Sequence, residues 1–192
     1  TVFSGDTSAI TSTLATNNLT IGAFSDGTGN FACGKIDDVR FYNRSLSAAE
    51  ILALYKSTAA VANASTNNLL TSGLVGLWSF DGKDMNWGTG TAYDRSSSGN
   101  NGSLINMSTT TSPTIGKIGQ ALKFNGVNNY VSISDAANLD MGTSNFTIGF
   151  WLNKKSTTGV RLVSKGVHGS TTLQGYATYI NGGNQVRFQL SD

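Results

Sequence analysis

The sequence predicts an all-β fold, an antiparallel jelly-roll sandwich with one short capped helix. Three observations carry this. Of 192 residues only 12% are charged and 23 are glycine, with a single proline. Short alternating apolar runs recur at a spacing of roughly 10 residues between turn signals, as in sandwiches and jelly rolls. Only one stretch carries the start signals of a helix.

In chain order, the first run is Leu19-Thr-Ile-Gly-Ala23, and the second closes on Ile36-Asp-Asp-Val-Arg-Phe-Tyr42. Ser47 and Glu50 then form a capping box, with Leu46 and Ile51 placed as a hydrophobic staple across it. Ile51, Leu52, Leu54 and Tyr55 supply an apolar stripe expected to pack on the rim of the sandwich. Residues 58–73 are rich in Ala, Asn, Ser and Thr without a clear period and read as a linker. Strands resume at Leu74-Val-Gly-Leu-Trp-Ser-Phe-Asp81. They continue at Leu122-Lys-Phe124, Tyr130-Val-Ser-Ile133, Phe146-Thr-Ile-Gly-Phe-Trp-Leu152, Arg161-Leu-Val-Ser164, Tyr176-Ala-Thr-Tyr-Ile180 and Gln185-Val-Arg-Phe-Gln-Leu190. Asn181-Gly-Gly-Asn184 between the last two is a hairpin signal.

Five motifs together resemble the laminin-G-like jelly-roll domains of the concanavalin A-like lectin and glucanase superfamily. They are Gly73–Gly82, the loop Asp94-Arg-Ser-Ser-Ser-Gly-Asn-Asn-Gly102, Gly119–Val131, Phe146–Trp151, and Gly34–Ile51. In that family the motif like Gly34–Ile51 closes a domain and the motif like Gly73–Gly82 opens one. The resemblance therefore implies the C-terminal part of one jelly roll at 1–57, a linker at 58–73 and the N-terminal part of another at 74–192. Two arrangements fit this order: an excerpt of a tandem array, or halves that join within one chain or between copies. Relative to the family, roughly three or four strands between Asp192 and Thr1 are wanting, which favours the excerpt or completion by other material over a self-sufficient permutation. Thr1 to Tyr42 would leave open sheet edges unless partnered.

Composition narrows the function. The net charge is +2, with 13 basic residues scattered along the chain, so no electrostatic footprint for nucleic acid exists. No apolar run is long enough for membrane insertion. Cys33 is the only cysteine, which excludes an internal disulfide; it is expected as a small buried apolar residue. Glycoside hydrolysis needs two carboxylates flanking the scissile bond, whereas the one glutamate, Glu50, is committed to a helix cap. His168 is the only histidine and is expected in a glycine-rich loop. The chain is therefore expected not to be an enzyme.

Calcium prefers carboxylate, amide and carbonyl oxygens. Asp37 and Asp38 are adjacent in a strand, so one of them faces inward and needs a cation or donors, with a bulge at the pair. Asp81 ends the Leu74 strand, and Asp94 with Asn100 lies in a Gly/Ser/Asn loop. The family resemblance implies a structural calcium at Asp94 and Asp38. The alternative is that Asp94 and Asp38 accept turn and strand-end hydrogen bonds, with Arg40 or Arg95 as charge partners. For sugars, an exposed ring beside amides is the expected signature. Trp87 in Met85-Asn-Trp-Gly-Thr-Gly90 leads, with a loop-anchoring role as its alternative. Tyr93 and Tyr176 follow, while Trp78 and Trp151, inside strands, are expected in the core.

The expectation is a non-enzymatic extracellular or cell-surface module that binds carbohydrate or serves adhesion in a multi-domain protein. Its partners would be glycans or neighbouring subunits, in a tandem array or homo-oligomer. Two alternatives remain open: a structural repeat of a fibre, sheath or coat completed by neighbouring strands, and an accessory module of a polysaccharide-degrading enzyme.

Overall fold

A computed structural model describes residues 2–5, 16–57, 68–155, 159–168 and 173–191. Its strands form two antiparallel sheets facing one another. The first contains β1 (Val2–Gly5), β11 (Phe146–Lys154), β3 (Cys33–Tyr42), β9 (Gln120–Asn125) and β8 (Pro113–Ile115), with β4 (Leu74–Trp78) also paired to β3. The second runs β14 (Val186–Ser191), β13 (Leu173–Ile180), β12 (Val160–His168), β2 (Leu19–Ile21), β10 (Tyr130–Ile133), β7 (Gly102–Ile105), β6 (Thr91–Ala92) and β5 (Met85–Asn86).

The segments on either side of 58–73 join within this one chain. β3 is the spine of the first sheet: β11 runs along one edge, while β9 and β4 share the other, at Cys33–Ile36 and Val39–Tyr42 respectively. In the second sheet β2 fills the gap between β10 and β12, Ile21 lying opposite both Val131 and Val163. The edges of β2 and β3 are thereby satisfied inside the sandwich, which is what backbone donors and acceptors in a sheet require.

Alternation places Val39 and Phe41 of β3, Ile148 of β11 and Trp78 of β4 in the inter-sheet core, all fully buried. Trp78 satisfies its indole by donating to the Asn100 carbonyl at 2.9 Å and meets Phe41 edge-on at 6.0 Å. Helix α1 (Ala48–Lys56) has the expected capping box, Ser47 Oγ accepting from the Glu50 N–H while the Glu50 carboxylate accepts from the Ser47 N–H. Leu46 and Ile51 meet in a second cluster with Tyr42, Leu54 and Leu70. The helix thus lies on the outer face of the first sheet rather than on its rim. A one-turn helix, α2 (Asn68–Thr71), falls in the stretch read as a linker; residues 58–67 lie outside the described ones. Cys33 is half-buried rather than buried, and His168 ends β12 rather than sitting in a loop.

Candidate functional site

The outer face of the first sheet is where polar and aromatic groups converge. In β3 and β11 the register pairs Tyr42 with Thr147, Arg40 with Gly149, Asp37 with Trp151 and Lys35 with Asn153. Between Arg40 and Asp37 the register shifts by one residue, and Asp38 takes a left-handed φ of 53°. This is the expected bulge, an extra residue that re-aims its neighbours. Without it, Asp37 and Arg40 would face opposite sides of the sheet; with it, both face outward.

Trp151 therefore stands on the outer face, correcting its expected place in the core. Its ring lies 5.5 Å from that of Tyr55 on α1, and the Lys117 ammonium sits 5.5 Å from the ring centroid, an attractive cation–π geometry. Two hollows flank it. One, of about 380 Å³, is lined by Lys35, Asp37, Lys117, Asn153 and the β8–β9 hairpin. The other, of about 770 Å³, lies between α1 and the sheet.

The five oxygen-bearing residues proposed as calcium ligands fall at three places. Asp94 and Asn100 do meet. Asp94 Oδ1 accepts from the Leu77 and Ser96 N–H groups at 2.9 and 2.8 Å, and Oδ2 from Ser96 Oγ and the Asn100 N–H at 2.7 and 2.8 Å. Both oxygens are occupied by donors, an arrangement suited to a carboxylate that staples a loop to β4 rather than to a cation cradle. Asn100 in turn donates to the Val75 carbonyl at 2.9 Å. Asp38 is buried in a forked pair with Arg40, Nε and Nη2 each 3.0 Å from a carboxylate oxygen. Arg95 pairs instead with the buried Asp84, at 3.4 Å.

Asp37 and Asp81 meet at a third place, the turn between β8 and β9. Asp37 Oδ2 accepts from the Lys117 and Ile118 N–H groups at 2.7 and 3.0 Å, and Asp81 Oδ1 from the Gln120 N–H at 2.8 Å. Burial, opposed by those two N–H groups and reinforced by the charges of Asp38 and Asp81, pushes the Asp37 carboxyl up from 3.8 to about 6. Its Oδ1 is buried without a donor among the described residues. No group of three His, Cys, Asp or Glu side chains able to hold a metal occurs among the described residues.

Of the aromatic candidates, Trp87 is partly buried against the main core, in line with its loop-anchoring alternative. Tyr93 is 39% exposed, and its hydroxyl accepts from the Asn86 amide at 3.3 Å on the same β5–β6 hairpin. Tyr176 is 1% exposed and donates to the Leu139 carbonyl at 3.0 Å. It belongs to the core and presents no stacking face, which corrects its assignment. Sequence reasoning missed Trp151, Lys117 and Asn153. A signal existed in Phe150-Trp151: two large rings in succession on one strand must face opposite sides.

Two family models match the chain. Residues 2–52 match that of the concanavalin A-like lectin/glucanases superfamily, a laminin-G type. Residues 90–192, more than half of the chain, match that of the Clostridium neurotoxin N-terminal receptor-binding domain. Searches of the curated proteins and of the solved structures found no match.

Proposed function

The chain belongs to the family of the Clostridium neurotoxin N-terminal receptor-binding domain, within the concanavalin A-like jelly rolls, and on that premise we propose a non-enzymatic extracellular module that binds carbohydrate on a receptor. The hollow beside Trp151 is the observation that carries this reading. A pyranose presents an apolar face that stacks on a ring and hydroxyls that seek planar amides, carboxylates and ammonium groups. Trp151 supplies the ring, Asn153 the amide, and Lys35, Lys117 and Asp37 the charged partners, in a recess of about 380 Å³.

The site sits on strands and a hairpin rather than on a long loop, so its groups are held before a ligand arrives, which lowers the ordering cost of binding. The absence of a glutamate pair, with Glu50 held by Ser47 and Arg44, supports binding without cleavage. Among the described residues no helix is long and apolar enough to cross a membrane.

Titration against a broad glycan panel tests the reading. Saturable binding to one glycan class is expected, weakened about tenfold or more by Asn153→Ala or Lys117→Ala, with Trp87→Ala much milder. No binding anywhere on the panel, or binding unaltered by both substitutions, would overturn it.

A further inference from the structure

An ammonium is buried in the second sheet. Lys165 of β12 lies opposite Leu19 of β2 and Tyr176 of β13, both members of the main core. Residues opposite one another in an antiparallel pair share a face, so the lysine enters the sandwich, and it is 1% exposed. Three oxygens stand around its Nζ: the Asn17 carbonyl at 2.8 Å, Asp135 Oδ1 at 2.5 Å and Asp140 Oδ1 at 3.0 Å. The two aspartates flank the single-turn 3₁₀-helix Ala137–Leu139. The Tyr176 hydroxyl holds that turn in place by donating to the Leu139 carbonyl at 3.0 Å.

Two carboxylates facing one ammonium leave a negative charge over. Asp140 is the better buried of them, 14% exposed against 37% for Asp135. Its Oδ1 is nevertheless buried without a hydrogen bond among the described residues, although Nζ lies within contact. Such an oxygen costs free energy as long as the carboxylate stays charged. Joining it to the amine removes both charges at once.

We propose that Lys165 and Asp140 condense to an intramolecular isopeptide bond, with Asp135 as the proton carrier. One proton passes from Nζ to Asp140, which sets an amine beside a carboxylic acid. Nζ then attacks Cγ, a role open to a lysine amine. Asp135 takes a second proton from the nitrogen and hands it to the departing hydroxyl, which leaves as water. The Nζ–Cγ bond forms, the Cγ–OH bond breaks, and ammonium plus carboxylate become amide plus water with no oxidant or cofactor. The remaining N–H keeps the Asn17 carbonyl as its acceptor. Groups held in contact react with effective molarities of roughly 10⁵ to 10⁸ M, far above the concentration of the water that opposes condensation. The bond ties β12 to the loop preceding β11 in a chain whose single cysteine cannot form an internal disulfide, and it constrains the unfolded chain as a disulfide would. It lies in the sheet opposite Trp151 and does not depend on the carbohydrate reading.

The test is the intact mass of the whole chain, folded, incubated at neutral pH and then denatured. A mass one water below that of the sequence is expected. A tryptic digest should give one branched peptide joining the segments that hold Asp140 and Lys165, with no cleavage after Lys165. Lys165→Arg and Asp140→Ala should keep the full mass, and Asp135→Ala should slow the loss of water by about a hundredfold or more. Hydroxylamine, which opens a succinimide formed at Asp140 alone, should leave the loss in place. Should a variant fail to fold, the peptide map of the unaltered chain decides. The proposal is overturned by the full sequence mass in the unaltered chain, by a loss of water that persists in Lys165→Arg, or by its reversal with hydroxylamine. An unchanged rate in Asp135→Ala overturns the proton carrier.

Discussion

Asp37 shows how one residue couples the bulge, the hairpin and the candidate site. Its carboxyl is raised to about 6 chiefly by burial, so the fold favours the protonated form. The stability contributed is full below the unfolded value near 4 and is lost as pH rises through about 6. Thermal melts across about pH 4 to 7 should show wild-type stability declining over that window, and a flatter profile in Asp37→Asn. An equal decline in both proteins would remove Asp37 as the cause. Gly119 is bound to the same turn, with φ of +59°, where any Cβ would collide with Asp81 Oδ1. Gly119→Ala should cost about 1–3 kcal/mol from strain alone, read as a fall in the denaturation midpoint at constant slope. Neither role could be read from spacing. Asp37 and Asp81 are called to one turn by residues 80 and 39 positions away.

At the scale of elements, α1 is the piece most fully legible in the sequence. Its cap is local: Ser47, Glu50 and the preceding Arg44 close on one another, with Arg44 Nη2 2.6 Å from Glu50. Those hydrogen bonds from Arg44 and Ser47 hold the Glu50 carboxyl down to about 2. Ser47→Ala should cost about 1 kcal/mol, measured by chemical denaturation. What local signals left out was the surface α1 would cover. A capped amphipathic helix fits a rim or a face equally well; Tyr42 and Thr147 decided it, through Leu54 packing on the tyrosine and the Leu46 N–H donating to the threonine at 3.1 Å. The bulge at Asp38 was foreseen as a device for two adjacent acids. Its partner was the guanidinium two residues on, within the same motif.

The whole molecule depends on strands from both sides of residues 58–67. β2 and β3 are interior to their sheets, so removing β2 would expose unpaired backbone on two neighbours at once and removing β3 on three. A protease site inserted between 58 and 67 should therefore yield two pieces that stay together through gel filtration under native conditions and part only in denaturant. Pieces that separate without denaturant would show that the sandwich is not held by these pairings.

The sequence by itself determined the class of fold, the alternating strands, the Asn181 hairpin and the capped helix, because each rests on neighbours within a few residues and on backbone preferences that travel with the residue type. The motif resemblance likewise pointed to the jelly-roll family that the chain matches. Only the tertiary structure decided which side of a sheet each ring faced. Tyr176, in an alternating strand, went inward with its hydroxyl satisfied by Leu139, while Trp151 went outward to stand between two hollows. Alternation says that successive side chains part company but not which of them finds the core. That choice was made by pairing across the sheet, with a one-residue bulge between Arg40 and Asp37 setting the outer face on which the candidate site is built.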